Sequence, residues 1–496
     1  PTAAIVTQIQ QAPGLKVTIQ AKRSSMEFNG QTSATVYLVP RSASGANLDF
    51  DAYLSQPGPN VTANFMLLNN RAYWSFVKDN AVVSAGCLAS NQVPPVQLMQ
   101  ASLESSVVVT SVTGQTIDCP QGKLLQLVFA GEKFVFCNSN TNQLTKAVGE
   151  DLDMTIEYLS DPTLIPDFDV PQVPGSSTPL DCPVVTSESS VESSTSRRLE
   201  SASALRRTAA LGSSSCGCKG QMKPCLFVHG VGEKSSAPPT STYSDTWGDV
   251  QNHAPCCSSF AFAHYESVQR AWNDPSSQQE FCQTALKVGT SGGTTVDNMI
   301  LVTYSMGNLV ASGAVASGRC SFGSGVSWIS IAGPMQGSKA ANVLDSKCAS
   351  GNGWDSALKG ILGLIGYCPA TPAYLNMKTQ DTVNSGLYNN YISAQSVRSR
   401  TAKRVLCGIK SSGLVSIDAA ALALVGQIVY NNDGTLHDGV VSFPSCSVGF
   451  GNFANDASNS NANYQASINH LDSSFRNGDG WWGADRKPLK WFECTL

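Results

Sequence analysis

Histidine is scarce in this chain, with five residues among 496 and none before His229. Any site built on imidazole is therefore confined to the second half. Charge is sparse too. Charged residues make up 14% of the sequence, the formal net charge is −4, and no long run of one sign occurs. The basic stripe of a nucleic-acid binder is missing. So is the charge-rich, apolar-poor composition of a disordered chain. No stretch reaches the roughly 18–20 uninterrupted apolar residues of a membrane span; patches such as Ala419–Tyr430 stop well short. Paired Cys-x-x-Cys spacing, the mark of many zinc sites, does not occur.

Cysteine itself is abundant, with 16 residues scattered along the chain. In an oxidising compartment that pattern reads as disulfides. The sequon Asn60-Val61-Thr62 fits a glycosylated surface loop. The chain starts at Pro1 without a charged-then-apolar leader, which we read as the mature form of a secreted, extracellular protein. With 42% hydrophobic residues there is material for a sizeable core, and the length predicts two or three domains.

Residues 1–168 read as a β-rich domain. Thr32–Pro40, Asn64–Val77, Ser105–Val112 and Lys123–Cys137 are β-branched or aromatic runs cut by turn residues. Hairpin turns fit at Asn69-Asn70 and Ala130-Gly131. Nothing in this part has the makings of a catalytic site. Residues 169–215 read as a linker rich in Ser, Pro and Thr, too polar to fold alone. It carries two dibasic pairs, Arg197-Arg198 and Arg206-Arg207, where processing would free the second half. Cys87, Cys119 and Cys137 precede the linker and Cys182 lies in it, while the other twelve cysteines run from Cys216 to Cys494. Both sets are even. Cys182 is expected to pair back into the first domain, with no disulfide between the halves.

From Cys216 to Leu496 short apolar strands (Pro224–Gly230, Asn298–Ser305, Gly325–Pro334 and Ala402–Lys410) alternate with segments of helical spacing, such as Ser258–Asn273. That alternation predicts an α/β domain with a mostly parallel sheet flanked by helices. Sites in such sheets gather at the carboxyl ends of the strands. Thr303-Tyr304-Ser305-Met306-Gly307 has the form of a strand-to-helix turn that lifts a serine hydroxyl clear of the sheet, with Thr303 where the G-x-S-x-G pattern has its first glycine. A His229-Gly230 turn follows an upstream strand. It would supply the N–H of Val231, and Met306 a second N–H, to a developing oxyanion. A nucleophilic serine needs a base and an orienting carboxylate, in the order Ser, acid, His. Two histidines lie downstream, His437 and His470. His470, the last, follows a polar run and takes the role of base. Of the two aspartates available, Asp433 sits in an Asn-Asn-Asp-Gly turn that explains it structurally. Asp438, at the end of a strand-like segment, is the choice.

These segments resemble the secreted, calcium-dependent bacterial true lipases of the α/β-hydrolase superfamily. The resemblance rests on His229-Gly230, Tyr304–Gly307, Ile331–Ser338, His437–Cys446 and Asn469–Asp472, and spans about Cys225 to Phe475. It implies an α/β-hydrolase domain, with Ser305 as nucleophile, His470 as general base then acid, and Asp438 orienting it. It implies a disulfide at Cys446. It also implies a structural calcium near the histidine loop, with Asp418 and Asp472 as carboxylate ligands. Here the sequence departs from the pattern: Arg476 stands where an amide ligand is expected. Lys339–Arg400, with the amphipathic Trp354–Tyr367, is a candidate lid over a lipid substrate.

The leading expectation is a lipase-like ester hydrolase acting through an acyl-enzyme and needing no cofactor for its chemistry. Its partner would be a lipid or ester substrate at an interface, with no nucleic acid involved. The alternatives are acyl transfer from the same intermediate and a non-catalytic binder on a hydrolase scaffold. A regulatory first domain, relieved by cleavage at the dibasic pairs, is a further expectation.

Overall fold

The computed structural model describes residues 2–41, 48–186, 208–350, 368–416 and 418–496. The dibasic pairs and Trp354–Tyr367 lie outside the described residues. The chain divides into two compact units, Pro1–Ser215 with Gly480–Ala484, and Cys216–Asp479 with Asp485–Leu496.

The first unit is built on a sheet of eleven strands. These are β1 (Gly14–Ala21), β2 (Ser33–Pro40), β3 (Phe50–Pro57), β4 (Thr62–Leu68), β5 (Arg71–Lys78), β6 (Ala81–Cys87), β7 (Val107–Val109), β8 (Lys123–Phe129), β9 (Glu132–Asn138), β10 (Leu144–Gly149) and β11 (Leu152–Leu159). Every pairing is antiparallel. The order runs from β6 down to β1 and then from β11 down to β7. Two-residue turns set the register where expected. Asn69 and Asn70 (φ 49° and 61°) close the β4–β5 hairpin, and Ala130 and Gly131 (φ 50° and 78°) close β8–β9. Ile5 and Ile9 of helix α1 (Thr2–Gln11) pack on Leu15, Leu127, Phe134 and Phe136, so one face of the sheet forms a core.

The Ser/Pro-rich segment is not a free tether where it is described. Cys182 is bonded to Cys87. Thr208–Ala210 pairs in parallel with Ser111–Thr113, and Ala209 and Leu211 are buried against Val109, Val135 and Val148. Small and apolar residues at its ends give the segment a surface to bury, which its overall composition hides.

The main sheet of the second unit has eight strands among the described residues: β12 (Lys223–Val228), β13 (Ala237–Thr240), β14 (Cys257–His264), β15 (Met299–Tyr304), β16 (Val326–Ile331), β17 (Ala402–Gly408), β18 (Phe453–Ala454) and β19 (Asn463–Ala466). Their order is β13-β14-β12-β15-β16-β17-β19-β18, and only the edge strand β13 is antiparallel to its neighbour. The expected helix over Ser258–Asn273 is corrected. Its first half is β14, and the alternation of Phe260 and Phe262 with small residues is a strand period of two. Phe262 stacks on Phe227 at 4.8 Å.

Five helices matter for the site: α2 (Pro275–Val288), α3 (Met306–Ala316), α4 (Lys339–Ala349), α5 (Ser385–Thr401) and α6 (Ala419–Tyr430). Leu301, Leu309, Trp328 and Tyr391 fill one side of the sheet, and Phe227, Trp247, Trp491 and Phe492 the other. Each such side chain contributes about 1.5–3 kcal/mol by leaving water. The candidate lid is corrected at its C-terminal end. Leu387, Tyr391, Ala394 and Val397 of α5 are buried in the same cluster as Leu309, so α5 is a core helix.

All 16 cysteines are bonded. Two disulfides lie in the first unit and six in the second, with none between them. Cys446 pairs with Cys407. No helix among the described residues is long and apolar enough to cross a membrane.

Candidate active site

After β12 the chain builds β14 on one side, then returns to place β15 on the other. The chain thus changes direction between β12 and β15, and the carboxyl ends of strands at such a switch point are the usual place for a ligand in an open parallel sheet. His229 and Ser305 follow these two strands directly.

Ser305 turns the chain from β15 into α3 with φ 53° and ψ −128°, a conformation that strains any residue with a Cβ. Two glycines make room for it. A Cβ at Gly307 would lie 2.6 Å from the His229 carbonyl and 2.8 Å from that of Val228. One at Gly230 would lie 2.7 Å from Ser305 Cβ and 3.1 Å from its Oγ.

Behind the turn Asn308 is fully buried. Its Oδ1 accepts from Thr303 Oγ1 (2.5 Å) and Ser330 Oγ (2.6 Å), while Nδ2 donates to the carbonyls of Ile331 (2.9 Å) and Ser305 (3.0 Å). Thr303 Oγ1 in turn accepts from Trp328 Nε1 at 2.7 Å. Thus the threonine that departs from the glycine pattern has its own task. It ties the end of β15 to β16 and to the first turn of α3. Sequence reasoning missed this network because its partners lie up to 25 residues apart with no fixed spacing.

Ser305 Oγ lies 2.9 Å from His470 Nε2, and His470 Nδ1 lies 2.7 Å from Asp438 Oδ2. The carboxylate only accepts, so Nδ1 carries the proton and Nε2 is left to accept from the serine hydroxyl. Asp438 is held in turn. Its Oδ1 accepts from the N–H groups of Val440 (2.9 Å) and Val441 (2.7 Å), and its carbonyl accepts from His470 N (2.9 Å). Tyr304 is a second residue the sequence reading missed. Its hydroxyl donates to the His470 carbonyl at 2.9 Å, and burial pushes its pKa up, so it stays a donor. All three expected side chains come together, each buried to within a few per cent. Asp433 stands apart, paired with Lys339 at 2.9 Å, which holds its carboxyl down at about 2.

On the β12 side His229 is buried and neutral. Desolvation lowers its pKa, Nε2 accepts from Tyr265 N at 2.9 Å, and Nδ1 donates to the Gly230 carbonyl at 2.7 Å. Glu233 closes the loop. Its N–H donates to Ser267 Oγ at 3.0 Å, and its carboxylate accepts from Tyr243 and from His264 Nδ1 at 3.1 Å. Burial alone would raise the Glu233 pKa, but these two bonds more than offset it and hold it below the usual range. Neither the Val231 nor the Met306 N–H has a protein acceptor among the described hydrogen bonds. Both donors flank Gly230, beside Ser305, with Met306 N 3.6 Å from where a Cβ at residue 230 would sit. A serine with a base, a base with a carboxylate, and two unused N–H groups form a set able to carry out acyl transfer.

The residues expected to hold calcium do not fit the ion. Asp472 is fully buried, but N–H donors already occupy its oxygens: Leu414 N at 2.8 Å and Asn469 N at 3.0 Å on Oδ2, Asn477 Nδ2 at 2.7 Å on Oδ1. Burial raises its pKa to about 6. Asp418 opens α6 half-buried. No group of three His, Cys, Asp or Glu side chains able to hold a metal occurs among the described residues. Asn60 is exposed in the turn between β3 and β4.

No protein-family model matches the chain, and no curated protein does. Among solved structures it is similar to phospholipase PlaB from Legionella pneumophila, with 14% identity over 47% of this chain and 46% of that one, and a TM-score of 0.29. The chain thus spans less than half of that protein. It is also similar to Staphylococcus hyicus lipase, with 14% identity over 56% of this chain and 95% of that one, at a TM-score of 0.31. LprF from Mycobacterium bovis matches 34% of this chain and 96% of its own at 11% identity, with a TM-score of 0.22. Likenesses this loose decide nothing about the site, and its geometry has to carry the reading.

Proposed function

We propose that the second unit is an α/β-hydrolase domain and that the protein is a secreted serine esterase of the lipase kind. The observation that carries this is the hydrogen-bonded chain from Asp438 through His470 to Ser305 at the carboxyl end of a parallel strand. The eight disulfides favour an oxidising, extracellular setting. The lipid part of the reading rests on the sequence resemblance.

His470 Nε2 takes the Ser305 proton as Oγ attacks the ester carbonyl carbon. The carbonyl oxygen becomes an oxyanion, for which the N–H groups of Val231 and Met306 are the available donors. Each such donor supplies roughly 3–4 kcal/mol to the transition state. Asp438 keeps the imidazole in the required tautomer and stabilises its positive charge. His470 then hands the proton to the departing alcohol, and the acyl-enzyme ester remains on Ser305. Water, deprotonated by His470, attacks this ester; His470 then returns the proton to Ser305 Oγ as the bond to the acyl carbon breaks and the carboxylic acid leaves. Burial of the hydroxyl and imidazole keeps bulk water from competing for these hydrogen bonds.

The test is a burst assay with nitrophenyl esters of increasing acyl length. The reading expects a burst of nitrophenol equal to one site per chain, followed by slower turnover, with longer acyl groups preferred. A protein without burst or turnover on any ester of the series would overturn it.

A further inference from the structure

The other end of the same sheet carries a cavity that the ester chemistry does not use. It measures about 430 Å³ and lies at the amino ends of β12, β15, β16 and β17, opposite Ser305. Its lining includes Lys223, Lys403 and Arg404 around the apolar Ile300 and Ile329, with Ser327 between them, and no Asp or Glu. Lys223 Nζ donates to the Gly325 carbonyl at 2.7 Å and Lys403 Nζ to Ser327 Oγ at 3.0 Å. Arg404 uses Nε on the Ser460 carbonyl (3.2 Å) and Nη1 on the Lys403 carbonyl (2.8 Å). None of the three cations forms an ion pair with a carboxylate among the described residues.

In a chain with 36 acidic and 32 basic residues, three cations lining one cavity with no Asp or Glu among its walls, only the chain-end residue Leu496, is a departure from the average surface. Their neutral acceptors orient the charges but do not pair them with a carboxylate. Like charges held at one cavity repel, and an oxyanion between them removes the cost. Ammonium groups and a guanidinium supply charge-assisted bonds to such a group. Ile300 and Ile329 line the bottom of the cavity with the 2–3% of their surface that stays exposed, a small apolar contact for the rest of a ligand.

We infer that this cavity binds an anionic amphiphile, with its oxyanion head on Lys223, Lys403 and Arg404 and a short alkyl part against Ile300 and Ile329. The head is a phosphate or a carboxylate, since either presents the same acceptors. The site is independent of the ester-hydrolase reading. It uses none of the residues around Ser305, so either can fail alone.

The experiment is calorimetric titration of the full chain with octyl phosphate, octanoate, octanol and inorganic phosphate, at low and at 0.5 M salt, roughly the range over which screening becomes severe. The same titrations are run on Lys403→Ala and Arg404→Ala, with circular dichroism and nitrophenyl-ester turnover checking that each variant is folded. We expect one saturable site for octyl phosphate or octanoate, weakened by salt and weakened about tenfold or more in each variant, while ester turnover stays within about twofold. Whichever of the two anions binds more tightly identifies the head group. Absence of saturable binding by both would overturn the inference, as would binding undiminished in the two variants. Octanol binding as tightly as the anions would overturn the role of the cations. Inorganic phosphate binding as tightly as octyl phosphate would overturn that of the apolar floor.

Discussion

The two units both rely on strands and disulfides, yet the hydrogen-bonded Ser305, His470 and Asp438 lie in the second. In the eleven-stranded sheet of the first unit every pairing is antiparallel, and hairpins of two residues join neighbours such as β4 and β5. Such turns are too short to carry a constellation of side chains. In the second unit parallel strands need long crossovers, and their carboxyl ends bring three distant loops together: Ser305 after β15, Asp438 32 residues before His470, and His470 itself after β19. All five histidines follow this division, lying between His229 and His470. The comparison teaches that strand direction, more than strand content, decides where a site can form.

The largest expected effect falls on the second unit. Ser305→Ala should lower ester turnover by on the order of a millionfold, to background, while thermal unfolding of both units stays within about 1 kcal/mol of the parent. Turnover surviving in this variant would place the chemistry elsewhere. Next comes Gly230→Ala. Its methyl would collide with Ser305 at 2.7 Å and disturb the donors beside it, so kcat should fall about a hundredfold or more with little change in KM. A variant with parental kcat would mean that the His229–Glu233 loop plays no part in the reaction.

The reverse test breaks a staple of the first unit. Cys87 and Cys182 are 95 residues apart in sequence. Replacing both by serine should destabilise that unit by about 2–5 kcal/mol in urea and leave ester turnover within about twofold. Loss of turnover would show that the two units depend on each other. Smaller again is Thr303→Gly, which restores the commoner motif. It removes two hydrogen bonds and leaves the Trp328 N–H buried and unpaired. The second unit should lose about 2 kcal/mol, and kcat less than about tenfold, because the turn at Ser305 persists. A gain in stability would contradict the role given to Thr303.

Much of this was legible in the sequence, and unevenly so. The strands were, because β-branched runs cut by Asn-Asn and Ala-Gly turns are local signals. The serine corner was legible because its small residues are contiguous, and His470 and Asp438 followed from their order along the chain. Three features were not. Ser258–Asn273 read as helix because Phe262, Tyr265, Val268 and Trp272 fit one helical face, and only the burial of its first half between neighbouring strands decides for β14. Tyr304 and Asn308 were passed over because their partners, the His470 and Ile331 carbonyls, are brought near by the fold alone. The calcium ligands followed from resemblance. That resemblance could not show that three N–H donors already hold Asp472.

The most direct test of the central claim is covalent labelling. The intact protein is treated with a fluorophosphonate, digested and mapped by mass spectrometry. The account predicts one phosphonyl group per chain, on Ser305 alone, with labelling slowed by at least about a hundredfold in His470→Ala. Labelling elsewhere, or none on Ser305 in folded protein, would contradict it.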